Sequence, residues 1–305
     1  MAQHRVLHAL RHLKSRGPHE YNSWQIQVRR CCWWRATWAP TDMSATTTRL
    51  SSSVKDKIAR GEPVYSMTVR LVRGAEIGAI AAAAGFDALY IDLQHSGISV
   101  ETAGQISISA LAMGVAPFVR VPGVDPHVIT RALDAGAIGV IVPDLHSADD
   151  ARAVVRAARY RPEGERSLPG IMPQLRYRSM PASEATEQLN AAITIVAMIE
   201  SAAGLAAVDE IAAVPGVDIL LVGANDLCTE AGVPGQFDHP LVEEAYAKVL
   251  AACRAHGKAL GVGGLASRPD LMKKYVAMGG LYVSLGADLS MLVAAATQKR
   301  KEAAL

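Results

Sequence analysis

Eight times between Val64 and Leu285 a short, unbroken run of apolar residues gives way to a longer Ala- and Leu-rich stretch. The runs fall at 64–69, 88–92, 116–121, 138–142, 193–199, 219–222, 259–262 and 281–285. Because they do not alternate apolar with polar, they read as strands buried on both faces, which is the signature of a parallel sheet. Stretches such as 100–113, 148–160, 242–256 and 268–278 have helical length between them. Eight strand–helix units with a further helix near 287–301 predict an α/β fold, a (β/α)8 TIM barrel with an extra C-terminal helix; a doubly wound sheet would stop near six strands. Gly85, Gly114, Gly136, Gly257 and Gly279 each follow a helical stretch, where a left-handed C-cap suits a short return to the sheet. One long interruption, 161–190, is rich in Pro, Gly, Arg and Ser; coming after the fourth strand, its length predicts a functional excursion on the strand-to-helix side.

A chain of 305 residues, 50% hydrophobic and 20% charged, can bury one large core, and such barrels commonly run to about 250 residues. The barrel is therefore assigned to 43–305 and an N-terminal extension to 1–42. That extension holds all four tryptophans and seven Lys or Arg against two acids, with no sustained periodicity. It reads as a disordered or artefactual stretch upstream of a start at Met43, as a transit peptide, or as a functional arm. The net charge of +2 resides in this segment, so the barrel is slightly acidic and makes no case for nucleic acid or a membrane surface. Cys31, Cys32, Cys228 and Cys253 form neither a disulfide framework nor a zinc pattern. A reducing, cytoplasmic setting follows, or a mitochondrial one if 1–42 is a transit peptide.

Barrel enzymes do their chemistry at the C-terminal ends of the strands. Strand two ends in Asp92, followed by Gln94 and His95; strand three ends in Arg120, strand five in Glu200, and strand six continues into Asn225 and Asp226. Glu200 and Asp226 would converge from neighbouring strands as oxygen ligands for a hard divalent cation, Mg²⁺ or Mn²⁺, with Co²⁺ also compatible. The structural alternative is that Glu200 caps the helix that follows it. Asp92, three residues before His95, is placed to orient an imidazole that moves protons, and Arg120 offers a planar fork for a carboxylate or a developing enolate. No Lys stands at these strand ends, which argues against a Schiff base. Lys258 falls just before strand seven, on the opposite face, as a solvated charge.

The run Phe86-Asp-Ala-Leu-Tyr-Ile-Asp92-Leu-Gln-His95, then Pro117-Phe-Val-Arg120-Val, Arg131-Ala-Leu-Asp-Ala-Gly136, Met198-Ile-Glu200-Ser and Gly223-Ala-Asn-Asp226-Leu resembles the HpcH/HpaI aldolase family of class II pyruvate aldolases. The resemblance implies a barrel of the phosphoenolpyruvate/pyruvate-utilising type and a cation on Glu200 and Asp226. It further implies pyruvate or another 2-oxo acid bound at Arg120 and Gly223–Asn225, including Ala224, and proton transfer by His95 with Asp92. An aldehyde partner, a homo-oligomer built as a trimer of dimers, and exchange of the C-terminal helix also follow from it. The chain departs from the family pattern at Gln94, where the family has Glu, at Met198, where it has Gln, and at Ser167 in the loop Gly164-Glu-Arg166-Ser167, which is expected to shape the pocket. Two alternatives stay open: a related lyase or decarboxylase acting on oxaloacetate or an acyl-CoA, and an inactive metal-binding or assembly protein.

Overall fold

A computed structural model of the chain describes residues 53–304. The expectations for 1–42, and the first residues of the 43–305 domain, lie outside them. Eight parallel strands close into a barrel in the order β1 to β8: Val64–Val69, Ala88–Asp92, Ala116–Arg120, Gly139–Val142, Thr194–Ile199, Ile219–Gly223, Ala259–Gly263 and Gly280–Ala287. Twelve α-helices accompany them among the described residues: α1 Ser53–Ala59, α2 Ile77–Ala83, α3 Val100–Ala112, α4 Pro126–Asp134, α5 Ala148–Ala158, α6 Ala182–Ala192, α7 Ala202–Ala206, α8 Val208–Ala213, α9 Ala224–Glu230, α10 Pro240–His256, α11 Pro269–Met278 and α12 Asp288–Glu302. The TIM barrel expected from the eightfold repeat is therefore present. No helix among the described residues is long and apolar enough to cross a membrane.

The strand residues divide between two packed layers. One set, including Leu89, Ile91, Val119, Val140, Leu220 and Val262, packs outward against the helices. The other, including Tyr90, Phe118, Ile141, Met198, Leu221 and Tyr282, fills the barrel, where the Phe118 and Tyr282 rings lie 5.4 Å apart. Gly139 makes room for this filling: a Cβ there would fall 2.3 Å from the Phe118 ring. Val54 on α1 joins the inner set, so that helix packs against the barrel's filling.

The excursion at 161–190 lies on the side opposite to that expected. It leaves the C-terminus of α5 and returns, through α6, to the start of β5, so it is a helix-to-strand connection under the N-terminal end of the barrel. Arg166 donates to Asp134 Oδ1 at 2.6 Å and lies over the Tyr160 ring. Gln174 Nε2 donates to the carbonyls of Ala137, at 2.8 Å, and Leu133. Within one chain these contacts hold the loop to α4 and α5, and Ser167 does not reach the pocket. Lys258 shares this end, but rather than being solvated it donates to the carbonyls of Val217, at 2.8 Å, and Val214.

At the opposite end the chain enters α12 through Asp288, the one buried residue of that helix. Its carboxylate accepts the N–H groups of Arg70, Leu71 and Val72, at 2.8–3.0 Å for the shorter contact of each, and that of Leu289 at 2.8 Å. This knot ties the exit of β1 to the helix. Asp288→Ala leaves several of those N–H groups without their acceptor and is expected to cost about 2 kcal/mol. The loss would be read as a fall of several degrees in melting temperature; an unchanged melting temperature would show that water replaces the carboxylate.

Candidate active site

Asp92 ends β2 with no exposed surface, and the register sets it beside Arg120 at the end of β3. Its Oδ1 accepts from Arg120 Nε at 2.9 Å and its Oδ2 from Arg120 Nη2 at 2.6 Å, the two-pronged geometry a guanidinium fork allows. Arg70 Nε reaches Oδ2 at 2.6 Å, and the N–H groups of Gln94 and His95 donate to Oδ1 at 3.0 and 3.1 Å. Burial pushes this carboxyl up, but the Arg120 fork, with help from the His95 N–H and Arg70, outweighs burial and holds it down at about 2. The expected contact of Asp92 with the His95 ring is not formed. Both oxygens are committed elsewhere, so Asp92 positions Arg120 and the backbone of the loop that carries His95. The Arg120 guanidinium lies 5.3 Å from the centre of the Tyr90 ring, and the Tyr90 hydroxyl donates to the sulfur of Met198 at 3.7 Å.

Glu200 follows β5 directly, and the capping alternative fails because Ser201 is the N-cap of α7, its hydroxyl accepting from Gly204 N–H at 3.1 Å. Glu200 is thereby left to face the cavity. Its Oε1 accepts the N–H of Asp144 at 2.9 Å, whereas Oε2 is buried with no hydrogen-bond partner. Gly223 makes this possible, since a Cβ there would lie 2.5 Å from Oε2. Burial first, and the charge of Asp226 second, raise the Glu200 carboxyl to about 7. Asp226 stands in the first turn of α9. The other residues named for the substrate differ in placement: Ala224 is buried in the core, and Asn225 is exposed with its carbonyl accepting the Thr229 hydroxyl at 2.8 Å.

A cavity of about 400 Å³ joins these parts, lined by Gln94, His95, Asp144, His146, Glu200, Ser201, Asp226 and Glu230. The sequence-predicted His95, Glu200 and Asp226 meet in it. Arg120 stands just below, near enough to influence the charge of Glu200. Asp144 and His146 were missed, although they follow β4 much as His95 follows β2; the same strand-end rule would have found them. The oxygens present suit a hard cation: Glu200 Oε2 and Gln94 Oε1 are both buried and unpartnered, and Asp226 faces the same space. No three His, Cys, Asp or Glu side chains among the described residues form a ready cage. That fits an ion held by two carboxylates, with substrate and water completing its shell.

A closed parallel barrel with an Asp–Arg clamp and two carboxylates in the cavity at its C-terminal mouth has the architecture of a barrel enzyme, which carries its active site at that end. The chain belongs to the HpcH/HpaI aldolase/citrate lyase family, which matches residues 72–295. It is 41% identical over 224 residues to a 4-hydroxy-4-methyl-2-oxoglutarate aldolase of Chaetomium globosum, covering 72% of this chain and 82% of that protein. A second fungal enzyme of the same name, from Hapsidospora irregularis, is 40% identical over 220 residues, with the same coverage. Among solved structures, an HpcH/HpaI aldolase from Desulfitobacterium hafniense DCB-2 is similar with a TM-score of 0.78 at 31% identity, covering 83% of this chain and 96% of that one. Macrophomate synthase is similar with a TM-score of 0.69 at 26% identity, covering 82% and 88%.

Because the folded state raises the Glu200 carboxyl from 4.5 to about 7, it binds that proton more tightly than the unfolded chain does. The resulting stability is complete below about pH 4.5 and is lost as the pH rises to about 7, up to about 3 kcal/mol. Chelator-treated protein should therefore unfold at lower urea at pH 8 than at pH 5, and Glu200→Gln should flatten that dependence. An equal pH slope in wild type and variant would place the strain elsewhere.

Proposed function

We propose that the chain is a divalent-cation-dependent aldolase that cleaves or forms 4-hydroxy-2-oxo acids through the enolate of a bound 2-oxo acid such as pyruvate. The observation that carries this is the buried, partnerless Oε2 of Glu200, opposite Asp226 in the cavity that also holds His95. A buried carboxylate raised by a second carboxylate in the same cavity suits a bound positive charge. Mg²⁺ or Mn²⁺ held by Glu200 and Asp226 would supply Lewis-acid polarisation of the 2-oxo acid.

The remaining chemistry belongs to the side chains. Arg120 gives Nε–H and one Nη2–H to Asp92, which leaves its Nη1–H groups and the second Nη2–H for a substrate oxygen. The clamp fixes that charge before substrate arrives, and such preorganisation is what makes an electrostatic contribution large. His95, exposed at the cavity rim, exchanges the proton of the hydroxyl that the acceptor's carbonyl becomes. The two fungal relatives support an acceptor that is itself a 2-oxo acid, giving a branched 4-hydroxy-2-oxo dicarboxylate. Arg70, part-exposed beside Asp92, is a cation suited to its second carboxylate.

Leu289, Leu292 and Val293 expose roughly half or more of their surface along α12. This supports a homo-oligomer in which the helix docks on another copy, as a trimer of dimers. Cys228 and Cys253 are both buried and unpaired, which fits a reducing compartment such as the cytoplasm.

Glu200→Ala and Asp226→Ala should each lower aldol cleavage by about 10³-fold, the scale of a lost electrostatic anchor, while the circular-dichroism melt stays cooperative. Chelation should abolish pyruvate release from 4-hydroxy-4-methyl-2-oxoglutarate, and Mg²⁺ or Mn²⁺ should restore it. Full activity in chelated protein would sink the proposal. Arg120→Lys keeps a charge but loses the fork, and should cost about 10²-fold or more in kcat.

A further inference from the structure

The carboxylate-oriented imidazole expected at Asp92 and His95 does exist in the cavity, but on the loop after β4. His146 Nε2 lies 2.7 Å from Asp144 Oδ1, and both residues line the cavity with His95, Glu200 and Asp226. The loop that carries the pair is built to hold still. Three successive N–H groups are occupied: Asp144 donates to Glu200 Oε1 at 2.9 Å, Leu145 to the Met198 carbonyl at 3.4 Å and His146 to Asp150 Oδ2 at 3.1 Å. Asp150 is itself fixed at the first turn of α5, where the Ser147 hydroxyl donates to it at 2.8 Å. Asp144 takes a left-handed conformation, φ 56°, which is costly for a residue with a side chain and is retained where the surroundings dictate it. That conformation places its N–H on Glu200 while its carboxylate meets the His146 ring.

Aldol chemistry has two proton positions, the acceptor's hydroxyl oxygen and C3 of the 2-oxo acid. The barrel order sets His95 on the loop after β2 and His146 on the loop after β4, on either side of Arg120 at the end of β3. The loop bearing His146 is the one pinned to Glu200, the carboxylate proposed to hold the cation that the 2-oxo acid would meet. Resting on the proposed aldolase function, we propose that His146, oriented by Asp144, takes and returns the C3 proton, while His95 serves the hydroxyl. In condensation the C3–H bond breaks and its proton goes to His146 Nδ1, while Nε2–H stays on the ring and donates a hydrogen bond to Asp144, which stabilises the imidazolium. The electron pair moves into the C2–C3 bond and onto the C2 oxygen. The C3–C4 bond then forms from that enolate, and the acceptor oxygen is protonated from His95. In cleavage the C3–C4 bond breaks first and C3 recovers its proton from Nδ1.

Proton exchange of the pyruvate methyl group in D₂O with Mg²⁺, followed by NMR, tests this directly. His146→Gln should lose exchange by about 10²-fold or more, the scale of a missing general base. In rapid-quench cleavage of 4-hydroxy-4-methyl-2-oxoglutarate labelled in its methyl-bearing half, it should release one equivalent of labelled pyruvate at near wild-type speed and then turn over slowly. His95→Gln should show the opposite, slow first release with exchange retained. Asp144→Gly keeps a backbone suited to the Glu200 contact but removes the carboxylate, and should lose exchange by about tenfold. Mn²⁺ binding, followed by electron paramagnetic resonance, should match wild type in the His146 and Asp144 variants. No metal-dependent exchange by the wild type would overturn the aldolase function itself. With wild-type exchange present, the assignment of His146 is overturned by exchange retained in His146→Gln, by equal loss of exchange and first release, or by loss of Mn²⁺ binding.

Discussion

The buried carboxylate of Asp92 is the point on which the mouth of this barrel depends. A charge with no exposed surface is tolerable only when surrounded by donors. Arg120, Arg70 and two backbone N–H groups supply them, holding the carboxyl at about 2. The clamp joins the ends of β2 and β3 to Arg70, the residue that follows β1. The backbone of Arg70 is in turn held by Asp288 at the start of α12, so the C-terminal helix and the catalytic end are mechanically connected. One side of the mouth is therefore satisfied before any ligand arrives.

The other side is not. Glu200 and Asp226 line one cavity, and burial first, with the charge of Asp226 second, raises the Glu200 carboxyl. The fold sustains the cost with a glycine: Gly223 leaves room for the Glu200 side chain, and Asp144 satisfies one of its oxygens. Residual strain of this kind at a functional site is relieved when the site binds what it was shaped for. A satisfied Asp–Arg clamp facing an unsatisfied carboxylate pair fits a molecule that carries negative charge at one end and meets a cation at the other.

Much of this was legible in the sequence for a definite reason. Strands of a parallel barrel are buried on both faces, so they appear as unbroken apolar runs: β1 and β2 coincide with their expected bounds, and the others differ by a residue or two. Strand ends carry polar residues only where the mouth needs them, which exposed Asp92, Arg120 and Glu200. What spacing could not show is which polar group meets which. Asp92 and His95 look like a pair in sequence, yet the cross-strand register gives Asp92 to Arg120. Asp144 and His146 form the real pair because a left-handed residue folds the loop back, and no pattern in an apolar profile reports a backbone angle. The stretch 161–190 reads as part of the mouth from its length and composition alone, although the helical stretch 148–160 already closes the fourth unit ahead of it; contacts to Asp134 and Ala137 place it beneath.

The proposed function places a cation between Glu200 and Asp226, with Arg120 close by. Crystals soaked with Mn²⁺ and pyruvate, with data collected at the manganese edge, test that placement most directly. A single anomalous peak about 2.1–2.3 Å from oxygens of both Glu200 and Asp226 is predicted, with pyruvate lying between it and Arg120. Pyruvate bound in the cavity with no peak between those carboxylates, or a peak elsewhere on the chain, would contradict it.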